Sequence, residues 1–243
     1  MLVGNMSQEN GTSMLEFRAI ETKRTPSVTE LVFDELYDRV ITLDLPPGAK
    51  LSEVDVARRM GVSRQPVRDA FYRMSRLGLL TIRPQRATIV APISERAVLE
   101  ARFIRTAIEL ETVQEAAKRL EPRQLQRLHA LVDRQEEAVQ AGDRMRFHAL
   151  DDEFHRMICE ATDLPFAWTV IREHKAHMDR VRYLSLAFGA QSALDDHKAI
   201  LAAIEAHDAQ TAADAMREHL SRIHSIIATI RKDRDQYFAK EEA

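Results

Sequence analysis

The stretch Leu51–Arg86, LSEVDVARRMGVSRQPVRDAFYRMSRLGLLTIRPQR, decides how the rest of the chain is read. It divides into two short helices, a tight corner and a β-hairpin. Ser52 opens the first helix as an N-cap, because its hydroxyl can accept from a backbone N–H the helix leaves unpaired. Val54, Ala57 and Met60 recur at i, i+3 and i+6 and mark an inward stripe. Gly61 supplies the left-handed residue that closes this helix. Ser63 caps the second helix, and Pro66 fits its first turn, where a missing N–H costs little. Val67, Ala70, Phe71, Met74 and Leu77 then share one helical face, leaving Arg64, Gln65, Arg68 and, further along, Arg73 on the other.

Two amphipathic helices joined through a glycine corner form a helix-turn-helix, whose second helix enters the major groove of DNA by its N-terminal end. Arginine there can pair bidentately with guanine, and glutamine with adenine. Lys50–Val90 holds nine Lys/Arg against three Asp/Glu, in a chain of net charge −3. Such a local basic face is the footprint of a phosphate-backbone partner. Downstream, Leu79–Ile82 and Ala87–Val90 are β-prone runs flanking Arg83-Pro84-Gln85-Arg86, a hairpin wing whose tip carries two arginines suited to phosphates or a groove. The structural alternative is an ordinary helix pair with a solvated arginine face and a hairpin that merely covers it.

With 243 residues, 45 % of them hydrophobic, and a mean hydropathy of −0.33, the chain reads as soluble and long enough for two domains. No apolar run approaches the ~20 residues that span a bilayer, so no membrane partner is expected. The first residues lack the basic and apolar segments of a secretion signal. Cys159 is the only cysteine, which precludes an internal disulfide and fits a reducing cytoplasm. Residues 1–25 read as a flexible arm and 26–91 as the DNA-binding domain. Within the latter, VTELVFDELYDRVITLDL is an amphipathic helix with Leu31, Leu36, Val40 and Ile41 inward, broken by Pro46-Pro47-Gly48. Residues 92–238 read as a separate all-helical domain of six segments, near 94–120, 122–140, 143–161, 165–188, 190–206 and 209–237, folded as an antiparallel bundle. Phe166, Trp168 and Phe188 belong to its core on this reading. The fold class is therefore mainly α, a winged helix-turn-helix followed by a helical bundle. Charge divides likewise: residues 1–91 carry 13 basic and 11 acidic side chains, the remainder 22 and 27.

Histidine placement is the informative feature of the bundle. Asp151 and His155 are four apart and share a helix face. His197 and His219 lie on consecutive segments, each eleven residues from Asp208 at their junction. If those segments form a hairpin, both rings stand at one height, about 16 Å from the turn at ~1.5 Å per residue. Three imidazoles and a carboxylate suit a divalent first-row ion, with Zn or Ni foremost. Spacing alone also allows other sets drawn from His148, Asp152, His174, His177 and His224. Cys159, eight residues beyond Asp151, reads as packing.

The run LPPGAKLSE…ARRMGVSRQPVRDAFYRMSRLGLL resembles the winged helix-turn-helix of GntR-type bacterial transcription regulators, over about sixty residues with a specific GVSRxPVRxA core. The resemblance implies that Arg64, Gln65 and Arg68 read the operator, with Ser63 near a phosphate and Arg86 at the wing tip. Two departures stand out. Arg86-Ala87 replaces a common wing glycine, and Val54 stands where some members place arginine. DDEFHRMI and DHKAILAAIEAHDAQTAADAMREHL resemble the FCD effector-binding domain of the FadR-type branch. That resemblance puts Asp151, His155, His197 and His219 at the family's metal-ligand positions. It also makes Arg105, with Arg102, the candidate grip on an effector carboxylate.

The function so implied is a regulator, not an enzyme. A small organic acid bound at a metal site would bias a homodimer on a near-palindromic double-stranded DNA operator. A metal-dependent enzyme in the bundle is the first alternative, though no paired Glu-x-x-His motifs of a di-metal carboxylate bundle occur. An effector-independent architectural DNA binder is the second, to be recognised by equal affinity for all duplexes.

Overall fold

A computed structural model describes residues 26–83 and 87–240. The head begins with α1 (Val28–Ile41), started by a capping box. The Ser27 hydroxyl accepts from the Glu30 N–H (3.2 Å), and the Glu30 carboxylate accepts from the Ser27 N–H (2.7 Å). Val32, Leu36, Val40 and Ile41 are buried, whereas Leu31, expected inward, is 57 % exposed. The inward stripe runs through its neighbour Val32.

Helix α2 (Glu53–Met60) is capped by Ser52, which accepts from Asp55 N–H, and ends at Gly61 with φ 66°. Val54, also expected inward, is 51 % exposed, and Val56 packs against the head core beside Ala57 and Met60. Helix α3 (Arg64–Arg76) buries Val67, Ala70, Phe71 and Met74. Ser63 occupies its N-cap position with extended backbone but makes no capping hydrogen bond through its side chain, contrary to the expected cap.

The wing is part of a three-stranded antiparallel sheet in the order β1 (Lys50–Leu51), β3 (Thr88–Val90), β2 (Leu80–Thr81). Leu80 lies opposite Val90, and Lys50 opposite Ile89. The third strand was not expected, because two residues are too few to show a period. Residues 84–86, and with them Arg86, lie outside the described residues, as do residues 1–25 of the expected arm.

The body is helical: α4 (Glu95–Arg119), α5 (Pro122–Gln140), α6 (Arg144–Glu160), α7 (Pro165–His174), α8 (Ala176–Ser185), α9 (Ala190–Glu205), α10 (Ala209–Ser221) and α11 (Ile223–Arg234). Two of the six expected segments are each split in two. One breaks at Lys175 (φ −85°, ψ −1°), and the other at Arg222 (φ −57°, ψ −21°). Helices α4, α5, α6, α9 and α10 share one core that includes Val113, Leu128, Phe154, Leu201 and Met216. Trp168 is buried with Cys159 and Ile171 as expected. Phe166 and Phe188 are not core: they are 72 % and 55 % exposed, one in the first turn of α7 and the other beyond the end of α8.

Head and body meet along Ala91–Ser94. The fully buried Arg180 on α8 donates to the carbonyls of Ala91 (2.7 Å) and Pro92 (3.1 Å). His177 Nδ1 accepts from Ser94 N–H (3.1 Å) and from the Arg180 guanidinium (2.8 Å). Ile93 also forms a parallel bridge with Phe238 after the 3-10 turn Asp235–Tyr237. Its N–H donates to Tyr237 O and its carbonyl accepts from Ala239 N–H, both at 2.8 Å.

Candidate functional site

On the head, α3 presents Ser63, Arg64, Gln65 and Arg68 as exposed side chains at its N-terminal end. Arg64 and Arg68 reach Glu53 of α2 only at 3.5 and 3.4 Å, and each is more than half exposed. Ion pairs of that kind are worth little, so both guanidinium groups are free to exchange partners. Gln65 Nε2 donates to Asp69 Oδ1 at 2.8 Å. Val54 is exposed on the neighbouring α2.

In the body, Asp151, His155, His197 and His219 each offer a ligand atom, and these atoms all lie within 4.8 Å of one another. Asp151 and His155 come one turn apart on α6. His197 and His219 are brought level by the α9–α10 hairpin, with ring centroids 4.9 Å apart. At the corner, His207 adopts φ 55° and Asp208 caps α10 through Thr211 N–H. The other candidate ligands are elsewhere. His174 and His224 are exposed, His177 lies at the seam, and His148 and Asp152 face the Lys175–Asp179 cluster.

Each imidazole turns Nδ1 toward an oxygen. His155 Nδ1 lies 2.5 Å from Glu109 Oε2, His197 Nδ1 2.8 Å from Gln135 Oε1, and His219 Nδ1 3.2 Å from Asp196 Oδ2. Gln135 is itself oriented by donating to Leu150 O (3.0 Å), and Asp196 is clamped by both ends of Arg222 (2.7 and 2.8 Å). Gln135 and Asp196 commit the Nδ1 atoms of His197 and His219 as donors, so Nε2 of those two rings carries the free lone pair, whereas His155 Nδ1 meets Glu109 as an ion-pair contact without hydrogen-bond geometry. The buried Nε2 atoms of His155 and His197 have no hydrogen-bond partner among the described residues. Asp151 lies 3.8 and 3.7 Å from them, too far for a hydrogen bond.

Burial holds His155 and His197 below the usual imidazole range and pushes His219 down to about 4, so all three are neutral at pH 7. That is the form a metal ion requires. The surrounding charge points the same way. Four carboxylates (Glu109, Asp151, Asp152 and Asp179) face three fixed cations (Arg105, Lys175 and Arg182). The donor set therefore fits a divalent ion in ligand type, in unpaired nitrogens and in charge.

A cavity of about 210 Å³ opens onto Asp151 and His219, lined also by Arg105, His148, Arg182 and Phe188. Arg105 is buried there, and its guanidinium is engaged by Glu109 (2.5 and 3.4 Å), so it orients His155 through that carboxylate while facing the cavity. Arg102 does not line this cavity. Arg182, which no motif or spacing singles out, contacts Asp151 and lines the cavity wall. Glu109, Gln135 and Asp196 were likewise missed. Glu109 follows Arg105 by one turn and carried a readable signal; the other two carried none.

A winged helix-turn-helix head on an all-helical body with this cluster defines a class of two-domain DNA-binding regulators. Residues 28–90 match the gntR family of bacterial regulatory proteins, and residues 100–222 match the FCD domain. The HTH-type transcriptional repressor RspR of Escherichia coli K12 is 34 % identical over 226 residues, covering 91 % of this chain and 99 % of that protein. A regulator from an unstable DNA locus of Streptomyces ambofaciens is 32 % identical, covering 87 % of this chain and 90 % of its own length. The fold is that of Escherichia coli McbR/YncC, with TM-score 0.73, 23 % identity and coverage of 84 % and 99 %. A putative regulator from Rhodococcus sp. RHA1 gives TM-score 0.70, 22 % identity and coverage of 82 % and 97 %.

The chain belongs to the GntR family, with an FCD C-terminal domain, and is a DNA-binding transcriptional regulator rather than an enzyme. Among the described residues no helix is long and apolar enough to cross a membrane.

Proposed function

We propose that this regulator binds a divalent transition metal, Zn or Ni foremost, through Asp151, His155, His197 and His219. On this reading a small carboxylate in the adjoining cavity modulates its operator affinity. The supporting observation is that His197 and His219 are hydrogen-bonded through Nδ1 and His155 Nδ1 faces Glu109, while the buried Nε2 atoms of His155 and His197 stand unpartnered beside Asp151. Buried polar atoms normally find partners, and metal-ligating histidines normally donate their second nitrogen to a carboxylate or amide.

The bound ion would supply a Lewis-acidic site with positions left for an organic acid. Arg105 and Arg182 line the cavity that the acid would fill, and both carry charge suited to a carboxylate. Arg102, which does not line the cavity, is left out of this grip. On the head, Arg64, Gln65 and Arg68 read bases, and Ser63 and Arg86 meet phosphates. The protein acts in the cytoplasm as a homodimer on a near-palindromic site, since a helix-turn-helix pair reads two half-sites about one helical turn apart.

Thermal unfolding with Zn²⁺, with Ni²⁺ and with a chelator tests this reading. A metal that binds only the folded chain adds about 2.7 kcal/mol at 100 times its Kd. Metal should therefore raise Tm in the wild type and not in His197→Ala, and a panel of carboxylic acids should raise it further only with metal present. An equal metal-dependent rise in His197→Ala would remove that residue from the site, and no rise in the wild type would remove the site.

A further inference from the structure

Tyr37, on α1 of the head, donates its hydroxyl to Asp179 Oδ2 on α8 of the body at 2.7 Å. Asp179 is fully buried and accepts Lys175 Nζ at 2.6 Å and one terminal nitrogen of Arg182 at 2.9 Å. That nitrogen also donates to Asp152 (2.8 Å), and the other terminal nitrogen of Arg182 contacts Asp151. An unbroken polar chain thus runs from the helix that packs on the DNA-reading α3 to a carboxylate of the ligand set.

We propose that Arg182 and Asp179 transmit occupancy of the metal site to the head through the Tyr37 hydroxyl. This rests on the metal reading above and assigns its regulation. Arg182 shares Asp151 with whatever cation that carboxylate binds, and like charges repel. When Asp151 takes a divalent ion, Arg182 gives up part of that contact and draws more on Asp152 and Asp179. Asp179 takes Lys175 and Tyr37 on one oxygen and Arg182 on the other, so a stronger pull by Arg182 turns the oxygen that Lys175 and Tyr37 share. The phenol is the one uncharged donor of the three, so it lacks the full-charge attraction that holds Lys175 and Arg182 to this carboxylate. Tyr37 is therefore the contact that yields, and α1 shifts its hold on α8. Burial and the Asp179 charge keep the phenol protonated, its pKa well above the usual tyrosine range. The hydroxyl thus stays a donor at every working pH.

The experiment measures operator affinity at fixed salt by fluorescence anisotropy, with Zn²⁺ alone and with chelator, on a duplex selected by this protein from a random pool. The ratio of the two affinities is the coupling, about 5- to 150-fold in typical allosteric proteins. Tyr37→Phe should bring the ratio close to one while still binding Zn²⁺ and unfolding cooperatively. Val32→Ala, buried in the head core on the same helix and outside the polar chain, should keep the wild-type ratio. By reciprocity, the change in Zn²⁺ affinity caused by the duplex should shrink by the same factor in Tyr37→Phe. A wild-type ratio in Tyr37→Phe overturns the relay and leaves the metal reading standing. An equal loss in Val32→Ala overturns it in favour of general packing, and no Zn²⁺ binding by the wild type overturns both readings.

Discussion

Gln135 and His197 sit on different helices, α5 and α9, yet their side chains meet at 2.8 Å with both fully buried. Because Gln135 Nε2 donates to Leu150 O, its Oε1 is the end that faces the ring. His197 Nδ1 must then carry the proton, and Nε2 is left as a ligand atom. Gln135→Leu removes that acceptor without touching a ligand. Outer partners of ligating histidines typically contribute 10- to 100-fold in metal affinity, so Zn²⁺ affinity should fall by about that factor. Competition against a chelating dye reads it, and an unchanged affinity would show that Gln135 does not set the tautomer.

Among the described residues Arg68 pairs with Glu53, loosely and in solvent, so Arg68→Ala should change stability by no more than about 0.5 kcal/mol. At the operator the same change should cost roughly 1–3 kcal/mol and relax the preference at one base pair. Equal loss on random duplexes would reassign Arg68 to the phosphate backbone. Ser63→Ala, by contrast, should weaken all duplexes alike.

Gly61 and Gly78 make a controlled pair. Both have left-handed backbone, φ 66° and 73°. A Cβ at Gly61 meets nothing within 4 Å, whereas one at Gly78 comes 2.7 Å from His177 Nε2. Gly61→Ala should cost about 1–2 kcal/mol for the left-handed conformation alone. Gly78→Ala should cost visibly more in denaturant unfolding, because His177 cannot swing away without releasing Ser94 and Arg180. Equal costs would mean that the seam is loose.

Burial and the neighbouring Arg180 push His177 down to about 4 from 6.5. The folded state therefore binds fewer protons than the unfolded one across that interval. The contribution of neutral His177 is intact above pH 6.5 and is lost as pH falls to about 4, roughly 3 kcal/mol in all. His177→Gln should flatten this part of the stability profile, measured in chelator so that no metal equilibrium intervenes. An unaltered slope between pH 6.5 and 4 would place the proton uptake on other groups.

Much of the head was legible because its signals are local. The Ser52 cap, the Gly61 corner and the stripe Val67–Ala70–Phe71–Met74 each act within one or two turns. In α1 the reading was off by one residue of helical phase, with Val32 inward where Leu31 was expected, and in α2 Val56 packs inward where Val54 was expected. In the body, the equal spacing of His197 and His219 about Asp208 was a geometric statement, and the hairpin brings the rings level. Gln135, Asp196 and Arg182 stayed invisible because they meet their partners across 62, 23 and 31 residues of sequence. No period links such residues; only the packing of α5, α8, α9 and α10 does. The break at Lys175 was hidden for a similar reason. The Lys175 ammonium is buried between Asp152 and Asp179, a requirement no helix propensity expresses.

The bridge between Ile93 and Phe238 has an engineering consequence. It ties the stretch just after the last helix back onto the connector, so the molecule is closed like a clasped bracelet. Grafting this sensor onto a foreign reading module by cutting after Ile93 would leave the clasp without its other half. A working chimera should carry Ile93 and Tyr237–Ala239 from the same parent, and splice on the head side of Ala91.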